Sequence, residues 1–182
     1  MMIAEAQDGV GAPDALQRLW TPHRMAYIKR GSESGPEAGA AECPFCRIST
    51  MADADGLIIA RGATVYAVLN LYPYNPGHLM VVPYRHVADY PDLTIQETTE
   101  LATFTQRAML ACRRAAAPHG FNIGINQGSV GGAGIAAHLH QHVVPRWGGD
   151  ANFMPVVAGT KVLPQLLAET HTLLVNAWEE LS

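Results

Sequence analysis

Histidines stand at alternate positions in His138-Leu139-His140-Gln141-His142, a run that continues as Val143-Val144-Pro145-Arg146. An imidazole can attack phosphorus, protonate a departing group or ligate a metal, and it does so near neutral pH because its ordinary pKa is about 6.5. Alternation at period two is strand geometry. The spacing therefore predicts a strand over 138–144, with three imidazoles on one face and Leu139, Gln141 and Val143 on the other. Three histidines buried without partners would cost stability, so such a row points to a site. The plainer reading, a solvated edge or tag-like tract, fits poorly: a tag is terminal and contiguous, and this run is internal, alternating and followed by the β-formers Val143 and Val144.

Directly upstream lies Asn126-Gln127-Gly128-Ser129-Val130-Gly131-Gly132-Ala133-Gly134, a loop with four glycines. Without β-carbons its backbone N–H groups can approach an anion closely, although flexible hairpin connections have the same composition. Its place before the histidine row favours a phosphate-facing loop. Cys43-Pro44-Phe45-Cys46 is the other chemical pattern, and by itself it fits a redox pair, a zinc half-site or two packed thiols.

The chain resembles the histidine-triad superfamily of nucleotide hydrolases and transferases. The family pattern is His-φ-His-φ-His-φ-φ with φ apolar, and residues 138–144 depart from it only in Gln141, on the face away from the imidazoles. Val68-Leu69-Asn70 and Pro76-Gly77-His78-Leu79-Met80-Val81-Val82-Pro83 extend the likeness, which covers Cys43 to Arg146. The resemblance implies that His140 is the nucleophile that becomes adenylylated. It implies that His142 binds a phosphate oxygen and helps protonate the departing group, while His138 orients the catalytic site or ligates zinc. Asn70 matches the residue that binds the ribose hydroxyls, and Gln127 matches a glutamine that reaches the phosphates, beside Asn126 in the same loop. Gly134 stands where related hydrolases carry a second glutamine, which leaves that wall open. His78 belongs to the turn that supports the site by hydrogen bonding. Members that bind zinc do so through a Cys-x-x-Cys pair, a later histidine and the first triad histidine, here Cys43, Cys46, His86 and His138, a closed Cys₂His₂ set of the structural kind. A divalent cation such as Mg²⁺ is expected only with the polyphosphate, because Asp150 is the nearest acid and no carboxylate cluster accompanies it.

Two further stretches, Trp20–Ile28 and Arg146–Met154, resemble the bacterial diadenosine tetraphosphate phosphorylase branch, especially its mycobacterial type. That branch cleaves diadenosine tetraphosphate with inorganic phosphate to ATP and ADP. The competing expectations are a hydrolase of dinucleoside polyphosphates or nucleoside phosphoramidates, and a nucleotide-binding scaffold without turnover. The intact triad disfavours the scaffold. The expected ligands are dinucleoside polyphosphates, ATP, ADP, AMP and inorganic phosphate.

Composition sets the limits within which this chemistry works. The 182 residues are 48% hydrophobic and 15% charged with a net charge of -4. That length suits one domain, and the negative balance argues against a nucleic-acid or anionic-membrane surface. No apolar run approaches the about 18 residues of a membrane span, and the first 30 residues lack the apolar stretch of a secretory signal. Three cysteines, two of them closely spaced, suit a reducing compartment, so a cytoplasmic protein is expected.

The elements that must position these residues follow from local pattern. Short β-rich runs fall at Leu57–Ala60, Thr64–Leu69, His78–Val82 and Phe121–Asn126, besides 138–144. Thr94 and Glu97 form a capping box before Ile95, Leu101, Phe104, Ala108, Met109 and Cys112 at helical spacing, with Arg113 and Arg114 at the far end and Pro118 and Gly120 beyond it. A second helix is expected over about 163–180 through Leu166, Leu167, Leu173, Leu174 and Trp178. Strands, a long helix, more strands and a C-terminal helix predict an α+β fold: about five antiparallel strands with the long helix on one face. Residues 1–41 are expected to be an N-terminal extension and mobile loop, and 42–182 a single histidine-triad domain. The resemblance further implies a homodimer or higher homo-oligomer.

Overall fold

The computed structural model describes residues 39–150 and 165–181. The expectations for residues 1–38 of the N-terminal extension, for 151–154 and for the helix start at 163 and 164 lie outside the described residues. Two short helices, α1 (Pro44–Ile48) and α2 (Asp53–Gly56), precede strands β1 (Ile58–Arg61), β2 (Val65–Leu69) and β3 (Leu79–Pro83). A 3₁₀ turn at Tyr90–Asp92 leads into α3 (Ile95–Ala116), followed by β4 (Gly120–Ile125), β5 (Gln141–Arg146) and α4 (Leu167–Glu179). The strands form one antiparallel sheet in the order β1-β2-β3-β5-β4. The α+β architecture is as expected.

Period-two alternation sorts the strands onto two covered faces. Val65, Ala67, Leu69, Leu79, Val81 and Val143 meet Leu101, Phe104, Ala108, Ala111 and Cys112 of α3 and Leu174, Ala177 and Trp178 of α4. The opposite face sets Ile58, Tyr66, Val68, Met80 and Val82 against Cys43 and Phe45. Because both faces are covered, β2 and β3 read as unbroken apolar runs, and all five residues of each are buried.

The capping box forms as predicted. The Thr94 hydroxyl accepts from the Glu97 N–H at 3.2 Å, and the Glu97 carboxylate accepts from the Thr94 N–H at 2.8 Å. Arg85 holds the same carboxylate at 2.7 and 2.9 Å and so ties the chain after β3 to the start of α3. At its C-terminus α3 stops at Ala117, in the left-handed conformation at φ 43°, one residue before Pro118.

One boundary departs from expectation. β5 begins at Gln141, so His138 and His140 precede the ladder and His142 alone of the three lies within it. The backbone N–H of Leu139 goes to Val87 O at 2.6 Å, outside the sheet, and Gln141 opposite Val81 is the last register pair with β3. Gln141 itself faces α3, where its amide donates to Thr105 Oγ1 at 2.7 Å. The polar departure from the apolar pattern is thereby satisfied by a buried hydroxyl.

Candidate active site and metal centre

Although only one histidine sits in the ladder, the three imidazoles stay together. His138, His140 and His142 are 1%, 5% and 8% exposed. Phe45, between the two cysteines, packs on His138 and His140 at ring-centroid distances of 5.5 and 4.9 Å, and His140 meets His142 edge-on at 5.0 Å.

Hydrogen bonds assign the proton on each ring. His140 Nδ1 lies 2.8 Å from His138 O, a carbonyl that can only accept, so Nδ1 carries the hydrogen and Nε2 keeps a lone pair. His78 Nδ1 accepts from the Tyr74 N–H at 3.0 Å and from the Asn70 amide at 3.3 Å, so the His78 proton is on Nε2. That nitrogen is 2.9 Å from His142 Nδ1, which must accept. The proton of neutral His142 is therefore on Nε2, a buried atom with no hydrogen-bond partner among the described residues. Burial depresses all three histidines, bringing His138 and His142 down to about 4 and lowering His140 against the opposing pull of its carbonyl partner. At neutral pH the site therefore presents one uncharged nitrogen lone pair, on His140, beside one N–H donor, on His142.

His138 faces the cysteines. Its Nε2–H donates to Pro83 O at 2.9 Å, which leaves Nδ1 as a lone pair 3.3 Å from Cys43 Sγ and 3.5 Å from Cys46 Sγ. His86 Nδ1 is 3.3 Å from Cys46 Sγ, and the four ligand atoms of Cys43, Cys46, His86 and His138 all lie within 4.8 Å of one another. Tetrahedral zinc with ordinary Zn–S and Zn–N bonds sets S···N edges at about 3.5 Å. The donor set, the spacing and the carbonyl-locked tautomer of His138 all fit zinc. Burial and the neighbouring Cys43 push the Cys46 thiol up to about 11, so the pair would need a cation to ionise.

The other expected site residues are distributed less simply. Asn70, at the end of β2, is half-buried; it donates to His78 and accepts from the Tyr72 N–H at 2.9 Å. Gln127 turns to the segment before α3, accepting from the Tyr90 N–H and donating to Asp89, each at 3.0 Å. Asn126 is half-buried at the end of β4, and Gly134 is exposed. Within the glycine-rich loop a β-carbon at Gly131 would lie 2.3 Å from Gln127 O, so that position admits no side chain. Two loop amides bond internally, Gly132 N to Ser129 O and Ala133 N to Gly128 O. Asp150 accepts from Arg146, the Trp147 N–H and Asn75, an arrangement that anchors the turn after β5.

Two residues escaped sequence reading. The ring of Tyr74 stacks on His142 at 5.5 Å and 24° and packs on His78 at 4.6 Å. Gly124 lies opposite His142 in the β4–β5 ladder. Neither carries a motif; the available signal was the position of Tyr74 in the Asn70–His78 run and a glycine inside a β-rich segment.

The HIT domain family model matches residues 52–149. The AP-4-A phosphorylase of Mycobacterium tuberculosis strain H37Rv is 54% identical over 172 residues, covering 93% of this chain and 88% of that protein. The bis(5'-nucleosyl)-tetraphosphatase [asymmetrical] of Schizosaccharomyces pombe is 36% identical over 80 residues, 44% of this chain and 43% of that protein. Among solved structures, a Zn-bound histidine triad family protein from Mycobacterium smegmatis superposes with a TM-score of 0.64 at 30% identity, covering 79% of this chain and 97% of that one. A uridylyltransferase mutant shares the fold at a TM-score of 0.69 and 19% identity, covering 90% of this chain and 55% of that one.

Proposed function

Because the chain belongs to the HIT domain family, we propose that its histidines perform nucleotidyl transfer, and that the protein is a phosphorylase converting diadenosine tetraphosphate and inorganic phosphate to ATP and ADP. The observation that carries the chemistry is the proton arrangement: a lone pair on His140 Nε2 beside the N–H of His142, which has no partner among the described residues. The choice of phosphate as acceptor is supported by the 54% identity to the mycobacterial phosphorylase over nearly the whole chain.

In this reading His140 Nε2 attacks the α-phosphorus. The bond to the departing triphosphate oxygen breaks with its electron pair, and ATP leaves behind an adenylyl-histidine. His142 Nε2–H donates to an oxygen on the transferring or departing group, where charge accumulates. A phosphate oxygen then forms the second P–O bond as the P–N bond breaks, returning the pair to His140 and releasing ADP. His138 holds His140 through its carbonyl, and Tyr74, Asn70 and His78 hold His142. Asn70 keeps a second lone pair and a second N–H for the ribose, and Asn126, Gln127 and Gly134 border the phosphate path, with Gln127 first having to release Asp89 and Tyr90. Zinc on Cys43, Cys46, His86 and His138 would supply a structural cross-link. Mg²⁺ would arrive with the polyphosphate, since Asp150 is committed to Arg146, Trp147 and Asn75.

The same reading takes residues 42–182 as one domain behind an extension at 1–41, working in the cytoplasm as a homodimer or higher homo-oligomer. The free thiols of Cys43, Cys46 and Cys112 support a reducing compartment, and the terminal position of β4, with Ile123 exposed, supports pairing at that edge. Incubating pure protein with diadenosine tetraphosphate and isotopically labelled phosphate tests the activity. Label in ADP, with release that saturates in phosphate, is the expected outcome. AMP and ATP formed at one rate with or without phosphate would identify a hydrolase.

A further inference from the structure

His142 is enclosed unevenly. Tyr74 covers a face of its ring, His140 meets it edge-on, His78 bonds Nδ1, and Met80 stands opposite it in register from β3. On the β4 flank the register partner is Gly124, which lacks a side chain. Register partners point to the same face of a sheet, so the gap lies beside the imidazole. Gly124 is exposed, and a β-carbon placed on it would meet nothing within 4 Å. Its backbone does not require glycine, since it is not among the residues with positive φ, unlike Gly128 and Gly132 of the following loop. A glycine that weakens a strand without a backbone reason marks a place where something approaches closely.

The second nitrogen of His142 is turned away from β3. β3 and β4 lie on opposite sides of β5, and His142 Nδ1 is directed at His78, just ahead of β3. The two nitrogens of an imidazole diverge, so Nε2 is directed away from His78 and β3; it is buried and without a partner among the described residues.

We propose that Gly124 is a specificity-determining residue for the acceptor: the room it leaves beside His142 admits inorganic phosphate to the adenylyl group on His140. This inference rests on the phosphorylase reading above. In a double displacement the acceptor enters along the line by which the first product left, on the side away from the nucleophile. Phosphate needs more of that room than water does. Filling it should therefore change which acceptor reacts as well as how fast the reaction runs.

The test compares Gly124→Val and Gly124→Ala with wild type in the full-length protein, using diadenosine tetraphosphate and labelled inorganic phosphate, with the ADP:AMP product ratio as readout. The ratio is internal to each reaction, so a smaller folded fraction cancels out. A fall of about tenfold or more in the valine variant, and a smaller fall in the alanine variant, is expected. Ile123→Ala, altered on the opposite face, should leave the ratio unchanged, and an equal fall there would overturn the inference. If the valine variant does not fold, the alanine variant carries the test, because its methyl group meets no neighbour. An unchanged ratio in the Gly124 variants would overturn the inference and leave the phosphorylase reading standing. A wild type that releases AMP whatever the phosphate concentration would overturn both.

Discussion

The tautomer of His142 is decided four residues ahead of His78, where the Tyr74 amide occupies His78 Nδ1 and sends the proton to the far nitrogen. His140 needs no such relay, because the carbonyl of His138 takes its Nδ1–H directly. The proposed nucleophile and the proposed donor are thus prepared by different neighbours, and their loss should have unequal effects. His140→Ala should abolish turnover of diadenosine tetraphosphate while circular dichroism stays native, a loss beyond the ~10²–10⁴-fold typical of removing an acid–base group. His142→Ala should cost less, because other donors still meet the phosphate. Steady-state rates check both, and a His140 variant retaining a tenth of the wild-type rate would refute the assignment of the nucleophile.

Among the elements, α3 depends on a carboxylate at its N-terminus. Glu97 is buried, accepts from Thr94 and receives Arg85, and the Arg85 bonds lead in drawing its pKa down to about 2. A carboxyl group whose folded pKa is depressed stabilises fully above its unfolded value, about 4.3, and loses that contribution as the pH falls toward its folded value. Glu97→Gln should therefore destabilise the protein at pH 7 by roughly 1–3 kcal/mol, because Arg85 and the Thr94 N–H lose an ionised acceptor. The gap between wild type and variant should close between about pH 4.5 and 2. Urea melts at pH 7 and pH 3 measure this, and an equal gap at both would show that the charge of Glu97 contributes nothing.

Across the whole molecule, the Cys₂His₂ cluster joins three distant segments: the start of α1, the chain after β3 and the approach to β5. Cys43 and His138 are 95 residues apart, so a metal there would close a long loop and hold Phe45 against two of the three histidines. Purified protein should carry about one zinc per chain by elemental analysis. Prolonged chelation should lower Tm by about 5–10 °C, and Cys46→Ser should abolish the bound zinc. A metal-free protein with an unchanged Tm would leave the four side chains as packed thiols and imidazoles.

What could be read from the chain alone was local. The alternation of His138, His140 and His142, the Thr94–Glu97 box, the apolar spacing from Leu101 to Cys112 and the Cys43–Cys46 pair each depend on residues a few positions apart, whose geometry follows from backbone period and capping chemistry. They sufficed for the α+β class and the long helix, and they named the histidines and thiols that the fold brings together. Tertiary structure decided what depends on partners far away in sequence. Val87 draws Leu139 out of the ladder, so the strand begins at Gln141, three residues later than period two implies. His78 meets His142 across 64 residues, Gln127 finds Asp89 across 38, and Gly124 gains meaning through its register with His142. No local pattern encodes these pairings, because a hydrogen bond or an empty space between strands exists only once the sheet has brought both sides together.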